Sequence, residues 1–139
     1  MTKVRAVSDT SFVIAFLDNS ESLHDAVVQQ YDLWEELLLP EPALAEVAYY
    51  LHKWAGNVAV ARFLNSLPNT IFNLVTLEPV VISRVAELLE IYADTRIDFV
   101  DACVMAIAEH YQIETVLTLD RRDFTIVRPV HCESFTLLP

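Results

Sequence analysis

The stretch DFVDACVMAIAEHYQIETVLTLD, residues 98–120, decides the fold of this chain. Its apolar residues recur at helical spacing from Val100 to Tyr111, which predicts a helix with one buried face. The β-branched run at 115–119 then predicts a buried strand, and Asp120 follows that strand directly. A buried helix that leads at once into a buried strand is the repeating unit of α/β domains.

The same alternation of strands and helices extends along the rest of the chain. Further strands are predicted at 4–8, 37–39 and 71–77, with two short ones near 125–128 and 134–137. Helices are predicted at 12–17, 22–36, 42–54, 57–67 and 79–92, and Gly56, the only glycine, separates two of them. Since helices connect the strands, the sequence predicts a single α/β domain over 1–139 with a mainly parallel central sheet.

The charge of the chain excludes a generic nucleic-acid backbone binder. Its net charge is −11, with 20 acidic against nine basic residues, whereas proteins that neutralise many phosphates carry clustered positive charge. The acidic surface favours divalent metals or a basic partner protein. Cys103 and Cys132 have no metal-ligand spacing, and no apolar run is long enough to span a membrane. We therefore expect a soluble cytoplasmic protein.

Five acidic residues stand where α/β domains form their sites. Asp9 and Asp120 directly follow predicted strands, Asp98 and Asp101 share one face in the first turn of a helix, and Glu46 lies on another helix. Each has an ordinary alternative role, as a helix cap, a turn former or a solvated surface residue. Several converging carboxylates, however, are the oxygen ligands that Mg²⁺ prefers.

The order of these acidic residues resembles that of PIN domains. The resemblance rests on Asp9-Thr10-Ser11 after the first strand, Glu46 in LAEVAYYL, Asp101 in DFVDACVMAIAEHY and Asp120 in TVLTLDRRDF. More narrowly, VLTLDRRDFTIVRP and the closing FTLLP resemble the VapC-type toxins of bacterial toxin–antitoxin pairs. The resemblance spans nearly the whole chain and implies a PIN-like three-layer α/β/α domain.

This resemblance implies a metal-dependent endoribonuclease, the toxin of a type II toxin–antitoxin system. Asp9, Glu46, Asp101 and Asp120 would hold one or two Mg²⁺ or Mn²⁺ ions, and a metal-activated water would cleave the RNA. A transfer-RNA or ribosomal-RNA loop is the implied substrate, a VapB-type antitoxin the partner, and a homodimer the assembly, with the stretch 44–54 as one candidate interface. The alternative is a PIN-like module that binds a partner without cleaving RNA.

Other residues near the predicted site have less certain roles. Asp98 and Asp123 depart from the family pattern and add negative charge. Each is either an auxiliary ligand or an ordinary structural residue, a helix cap for Asp98 and a turn residue for Asp123. Three hydroxyl residues have two alternative roles. They either hydrogen-bond the carboxylates or a metal-bound water, or they act as simple caps; the residues are Thr118, Thr10 and Ser11. A local basic patch suits RNA phosphates, with surface ion pairing as the alternative; it comprises Arg121, Arg122 and Arg128.

Overall fold

The computed structural model describes residues 3–139, and within them five strands form one parallel sheet. The strands are β1 (Arg5–Ser8), β2 (Glu36–Pro40), β3 (Phe72–Val75), β4 (Thr115–Leu117) and β5 (Thr136–Leu138). Their order is β3-β2-β1-β4-β5, so β1 lies at the centre of the sheet. It pairs with both neighbours, with Ala6 opposite Leu37 of β2 and Val7 opposite Val116 of β4.

The central strands are buried on both faces. Ala6 and Leu37 belong to one hydrophobic core, whereas Val7 and Leu38, which follow them in sequence, belong to a second core on the other face. All four side chains are buried. This alternation follows from the two-residue period of a strand, and it requires helices on both faces of the sheet.

Helices cover both faces in the predicted three-layer α/β/α arrangement. The first core is supplied mainly by α1 (Thr10–Leu17), α2 (His24–Tyr31) and α3 (Ala43–Ser66). The second is supplied mainly by α4 (Pro79–Ile91), α5 (Phe99–His110) and α6 (Arg121–Ile126), and a 3-10 turn at Leu67–Asn69 precedes β3. None of the helices within residues 3–139 is long and apolar enough to cross a membrane.

The predicted break at Gly56 is confirmed. The long helix α3 contains one non-helical residue, Gly56, whose φ of 78° and ψ of −176° lie in a region that favours glycine. The helices predicted at 42–54 and 57–67 are therefore the two parts of α3 on either side of this residue.

The strand predicted near 125–128 is wrong. Helix α6 covers Arg121–Ile126 instead and buries Phe124 in the second core. The β-branched run of Thr125, Ile126 and Val127 favoured a strand, but the edge of β4 is already occupied by β5. A further strand therefore has no partner at that edge of the sheet.

Other predicted elements have the correct type but different ends. The helix predicted at 22–36 covers only His24–Tyr31, because Glu36 already pairs with Arg5 as the first residue of β2. The strand predicted at 71–77 shortens to β3, and the one near 134–137 appears as β5.

Candidate active site

Asp9 lies at the carboxyl end of the central strand β1, where it begins α1. Its backbone N–H donates to the Leu117 carbonyl of β4 at 3.0 Å. Its Oδ2 accepts hydrogen bonds from the hydroxyls of Thr118 at 2.9 Å and Ser11 at 3.0 Å. The side chain is buried, with 5% of the residue's surface exposed. The predicted supporting residues Thr118 and Ser11 thus hold this carboxylate directly.

Glu46 reaches the same end of the sheet from the first turn of α3. Its Oε1 accepts a hydrogen bond of 2.6 Å from the hydroxyl of Thr10, the residue that follows Asp9. This bond joins α1 to α3 and orients Glu46 toward Asp9. The predicted role of Thr10 in holding a carboxylate therefore agrees with the geometry.

Asp98 and Asp101 form a capping box at the start of α5. Asp98 Oδ1 accepts from the Asp101 N–H at 3.0 Å, and Asp101 Oδ2 accepts from the Asp98 N–H at 3.1 Å. Asp98 therefore caps α5, which is one of the two alternative roles predicted for it. Both side chains also line the pocket that contains Asp9, so capping does not remove them from it.

Asp120 and Asp123 approach the pocket from the segment that follows β4. The Asp120 N–H donates to the Thr118 hydroxyl at 2.9 Å, which links this segment to Asp9. Asp123 is buried with 3% of its surface exposed, and its Oδ1 has no hydrogen-bond partner among residues 3–139. The nearest opposite charge is Arg96, whose Nε lies 3.9 Å from that oxygen.

The carboxylates surround one open cavity of about 650 Å³. Six acidic side chains line it, together with a single cation, Arg96, in the part of the chain that the structure describes. The structure therefore brings together the four residues predicted to bind metal and both auxiliary acids. The acidic lining residues are Asp9, Glu46, Asp98, Asp101, Asp120 and Asp123.

Burial and the repulsion of neighbouring acids make Asp9 and Asp101 hard to ionise. Desolvation, reinforced by the charge of Glu46, raises the pKa of Asp9, although the hydroxyls of Thr118 and Ser11 lower it in part. Desolvation, with the charges of Asp98 and Asp9, raises the pKa of Asp101 to about 8. Like charges in a partly desolvated pocket raise one another's pKa in this way when no cation balances them.

The carboxyl of Asp123 in the same cavity shows the same effect. Burial raises the pKa of Asp123, and the adjacent Asp120 carboxyl raises it further, while Arg96 lowers it. The unpartnered Oδ1 of Asp123 is an acceptor that faces Arg96 at a distance too long for a hydrogen bond.

The donor set of this pocket fits a hard divalent cation. Within residues 3–139, no three acidic, histidine or cysteine side chains converge closely enough to enclose an ion by themselves. Mg²⁺, however, is usually bound through one or two carboxylates and keeps several waters, so an open acidic pocket suits it. The raised pKa values of Asp9 and Asp101 and the unpartnered oxygen of Asp123 indicate that positive charge would stabilise this site.

The arginines predicted to contact RNA do not line the cavity in the described structure. Arg121 donates to the Pro139 carbonyl, and Arg122 is exposed on α6. A role of Arg121, Arg122 and Arg128 in RNA binding stays a prediction. Sequence reasoning missed Arg96, whose only signal was a cation two residues before Asp98.

Comparison with known proteins agrees with this arrangement. Residues 6–128 match the PIN domain family. The chain is 32% identical over 134 residues to Ribonuclease VapC26 of Mycobacterium tuberculosis, covering 96% of this chain and 99% of that protein.

Solved structures share the fold. VapC20 of Mycobacterium tuberculosis, described as a sarcin-ricin loop cleaving toxin, matches with a TM-score of 0.78 and 19% identity over 92% of this chain and 98% of its own. VapBC2 of Rickettsia felis, bound to a promoter DNA fragment, matches with a TM-score of 0.70 and 13% identity over 97% of this chain and 99% of its own. Since the family match covers most of the sequence and VapC26 aligns over nearly its full length, this chain belongs to the PIN-domain family, and within that family to the VapC type.

Proposed function

We propose that this VapC-type ribonuclease hydrolyses phosphodiester bonds within RNA, with Mg²⁺ or Mn²⁺ held by Asp9, Glu46, Asp101 and Asp120. The ribonuclease class follows from the similarity to VapC26. The observation that supports the metal-dependent mechanism is the meeting of these four carboxylates in one cavity at the carboxyl end of the sheet.

The four carboxylates would hold one or two ions and supply the negative charge that retains them. When bound, such a cation supplies a water that is acidic enough to act as a nucleophile near neutral pH, and it neutralises charge on the phosphate. The chain contributes the fixed positions of the ligands. No protein nucleophile is required for this chemistry.

The hydroxyl residues around the carboxylates are proposed to position them. Thr118 and Ser11 hold Asp9 Oδ2, and Thr10 holds Glu46 Oε1. Such outer contacts fix the direction of a ligand's free lone pairs and raise metal affinity.

The auxiliary acids differ in what supports a metal-binding role. The carboxylate of Asp98 is engaged in the α5 capping box. Asp123, with an unpartnered buried oxygen beside Asp120, is the better candidate for an auxiliary ligand.

The biological setting we propose is a type II toxin–antitoxin pair in which this chain is the toxin. The net charge of −11 and the acidic cavity suit a VapB-type antitoxin that presents a cationic side chain to the site. The homodimer is proposed to use the 44–54 stretch, where Tyr49 and Trp54 are 72% and 70% exposed. A transfer-RNA or ribosomal-RNA loop is the proposed substrate, because loops present an accessible backbone and unstacked bases.

Cleavage of total bacterial RNA by the purified chain, free of antitoxin, tests this function. Reactions would contain Mg²⁺, Mn²⁺ or EDTA, with Asp101→Asn as the disabled variant and Asp94→Asn as a matched charge control in an exposed turn. We expect discrete cuts that require metal and Asp101 but survive Asp94→Asn, and end mapping would identify the substrate. Full cleavage by Asp101→Asn would refute the site. An inactive wild type that metal still stabilises would favour the non-catalytic binding module.

A further inference from the structure

Arg96 is the only cation that lines the acidic cavity in residues 3–139. Six carboxylates face the same space. RNA is a polyanion, so the cavity repels its phosphates unless positive charge offsets that repulsion. A metal held by the carboxylates offsets part of it, and Arg96 is the protein's own positive charge at the cavity wall.

The backbone of Arg96 is held in place by its neighbours. The Thr95 hydroxyl donates to the Tyr92 carbonyl at 2.7 Å, and the Ile97 N–H donates to the Thr95 hydroxyl at 3.2 Å. Ile97 is buried, and Asp98 then starts α5. Arg96 therefore leaves the backbone from an ordered turn two residues before the capping box.

The guanidinium of Arg96 is accessible and not committed to a protein acceptor. Its side chain is 61% exposed, and the carboxylate oxygen it faces, Asp123 Oδ1, lies 3.9 Å from Nε. This distance is too long for a hydrogen bond, and that oxygen has no other partner within the described residues. Arg96 thus retains its donors for a ligand while the charge of Asp123 keeps it at the cavity.

We propose that Arg96 binds a phosphate of the RNA strand that enters this cavity, through its planar guanidinium. The inference rests on the proposed ribonuclease function and adds a substrate-binding residue to it. A planar guanidinium can donate hydrogen bonds to two phosphate oxygens at once, whereas a lysine ammonium acts as a point charge. Arg96 therefore both attracts the strand and fixes one phosphate relative to the carboxylates.

The test compares Arg96→Gln with Arg62→Gln, which removes the same charge from an exposed position on α3 outside the acidic cavity. Binding of a labelled single-stranded RNA in Ca²⁺ buffer is followed by fluorescence anisotropy at several salt concentrations. We expect Arg96→Gln to weaken binding roughly tenfold or more, and to reduce the slope of log affinity against log salt by about 0.7. Arg62→Gln should leave both near wild type, and Arg96→Lys should recover part of the affinity. Equal behaviour of the two glutamine variants overturns the proposal.

Steady-state cleavage separates phosphate binding from mere neutralisation of Asp123. Arg96→Gln should raise KM for RNA, with Mn²⁺ affinity by calorimetry close to wild type. If Arg96 acted only by balancing Asp123, the Arg96→Gln/Asp123→Asn double variant would regain the RNA affinity of Asp123→Asn alone, and that result overturns the proposal. A wild type that cleaves no RNA refutes the ribonuclease mechanism itself, whereas an active wild type unaffected by Arg96→Gln refutes only the role of Arg96.

Discussion

Replacing Asp101 by asparagine should stabilise the metal-free protein in a pH-dependent manner. The pKa of Asp101 rises from 3.8 to about 8 in the folded chain, because of burial and the charges of Asp98 and Asp9. Between these pH values the folded state binds one more proton than the unfolded state. The stability of the wild type therefore falls as pH rises from about 4 to about 8, and the penalty is complete above that range. Asparagine carries no charge and should not show this loss.

The expected magnitude follows from the same pKa. A rise of that size would weaken folding by about 6 kcal/mol if it were fully expressed. Asp101 is only partly buried, so solvent screening reduces the effect, and we expect a gain of about 1 to 3 kcal/mol for Asp101→Asn at pH 8. That gain corresponds to roughly 3 to 9 °C in Tm for a chain of this size. The asparagine side-chain oxygen still accepts from the Asp98 N–H, so the capping box survives.

Thermal unfolding in EDTA between pH 4 and pH 9 measures this difference, with Asp94→Asn as the control for net charge. The gap between Asp101→Asn and wild type should be small near pH 4, widen toward pH 8 and then remain constant. Added Mg²⁺ should narrow the gap, and reverse it if the gap lies at the lower end of that range, because the wild type gains about 2.7 kcal/mol at a hundredfold excess over its Kd and the variant gains less. A gap that does not change with pH would refute the assignment of a repulsive, partly desolvated carboxylate to this position.

Three further substitutions test other contacts. Thr118→Val removes the hydroxyl that holds Asp9, and it should weaken Mg²⁺ binding about tenfold by calorimetry; unchanged affinity would contradict a positioning role. Arg84→Ala leaves the buried Glu109 carboxylate without its ion-pair partner, and urea unfolding should show a loss of about 3 kcal/mol, whereas a loss below about 1 would mean that water reaches Glu109. Gly56→Ala should cost about 1 to 3 kcal/mol in thermal unfolding, because φ is 78° there, and a neutral result would mean that α3 relaxes around the substitution.

The sequence predicted that Asp9, Asp101 and Asp120 would lie together, because a local pattern defines the position of each, whereas Glu46 was predicted only from the resemblance to PIN domains. Asp9 directly follows β1, Asp120 follows the strand predicted at 115–119, and Asp101 lies in the first turn of the most regular apolar helix. The carboxyl ends of adjacent parallel strands lie at the same edge of the sheet. Once β1 and β4 pair, Asp9 and the segment that carries Asp120 must therefore be neighbours.

What the sequence did not predict depends on tertiary contacts. Arg96 lies in an irregular turn, and its place at the cavity depends on how α4, α5 and the segment after β4 pack together. The strand predicted near 125–128 was wrong for a similar reason, since β5 arrives from later in the chain to occupy the edge of β4. Secondary-structure propensities over a few residues carry no information about either of these contacts.

Asp9 and Asp101 lie on firmly packed parts of the fold, and for this reason their mutual repulsion strengthens cation binding. Asp9 follows the central strand, and Asp101 lies in the first turn of α5, whose residues from Ala102 to Ala108 are all buried. On a loosely held loop, the same charges would move apart and lose their mutual repulsion. In a rigid pocket they cannot, so a cation that binds there relieves repulsion as well as gaining ligands. The uncompensated charge also opposes an RNA phosphate, so a cation in the pocket favours the entry of RNA and RNA favours retention of the cation, as linkage requires.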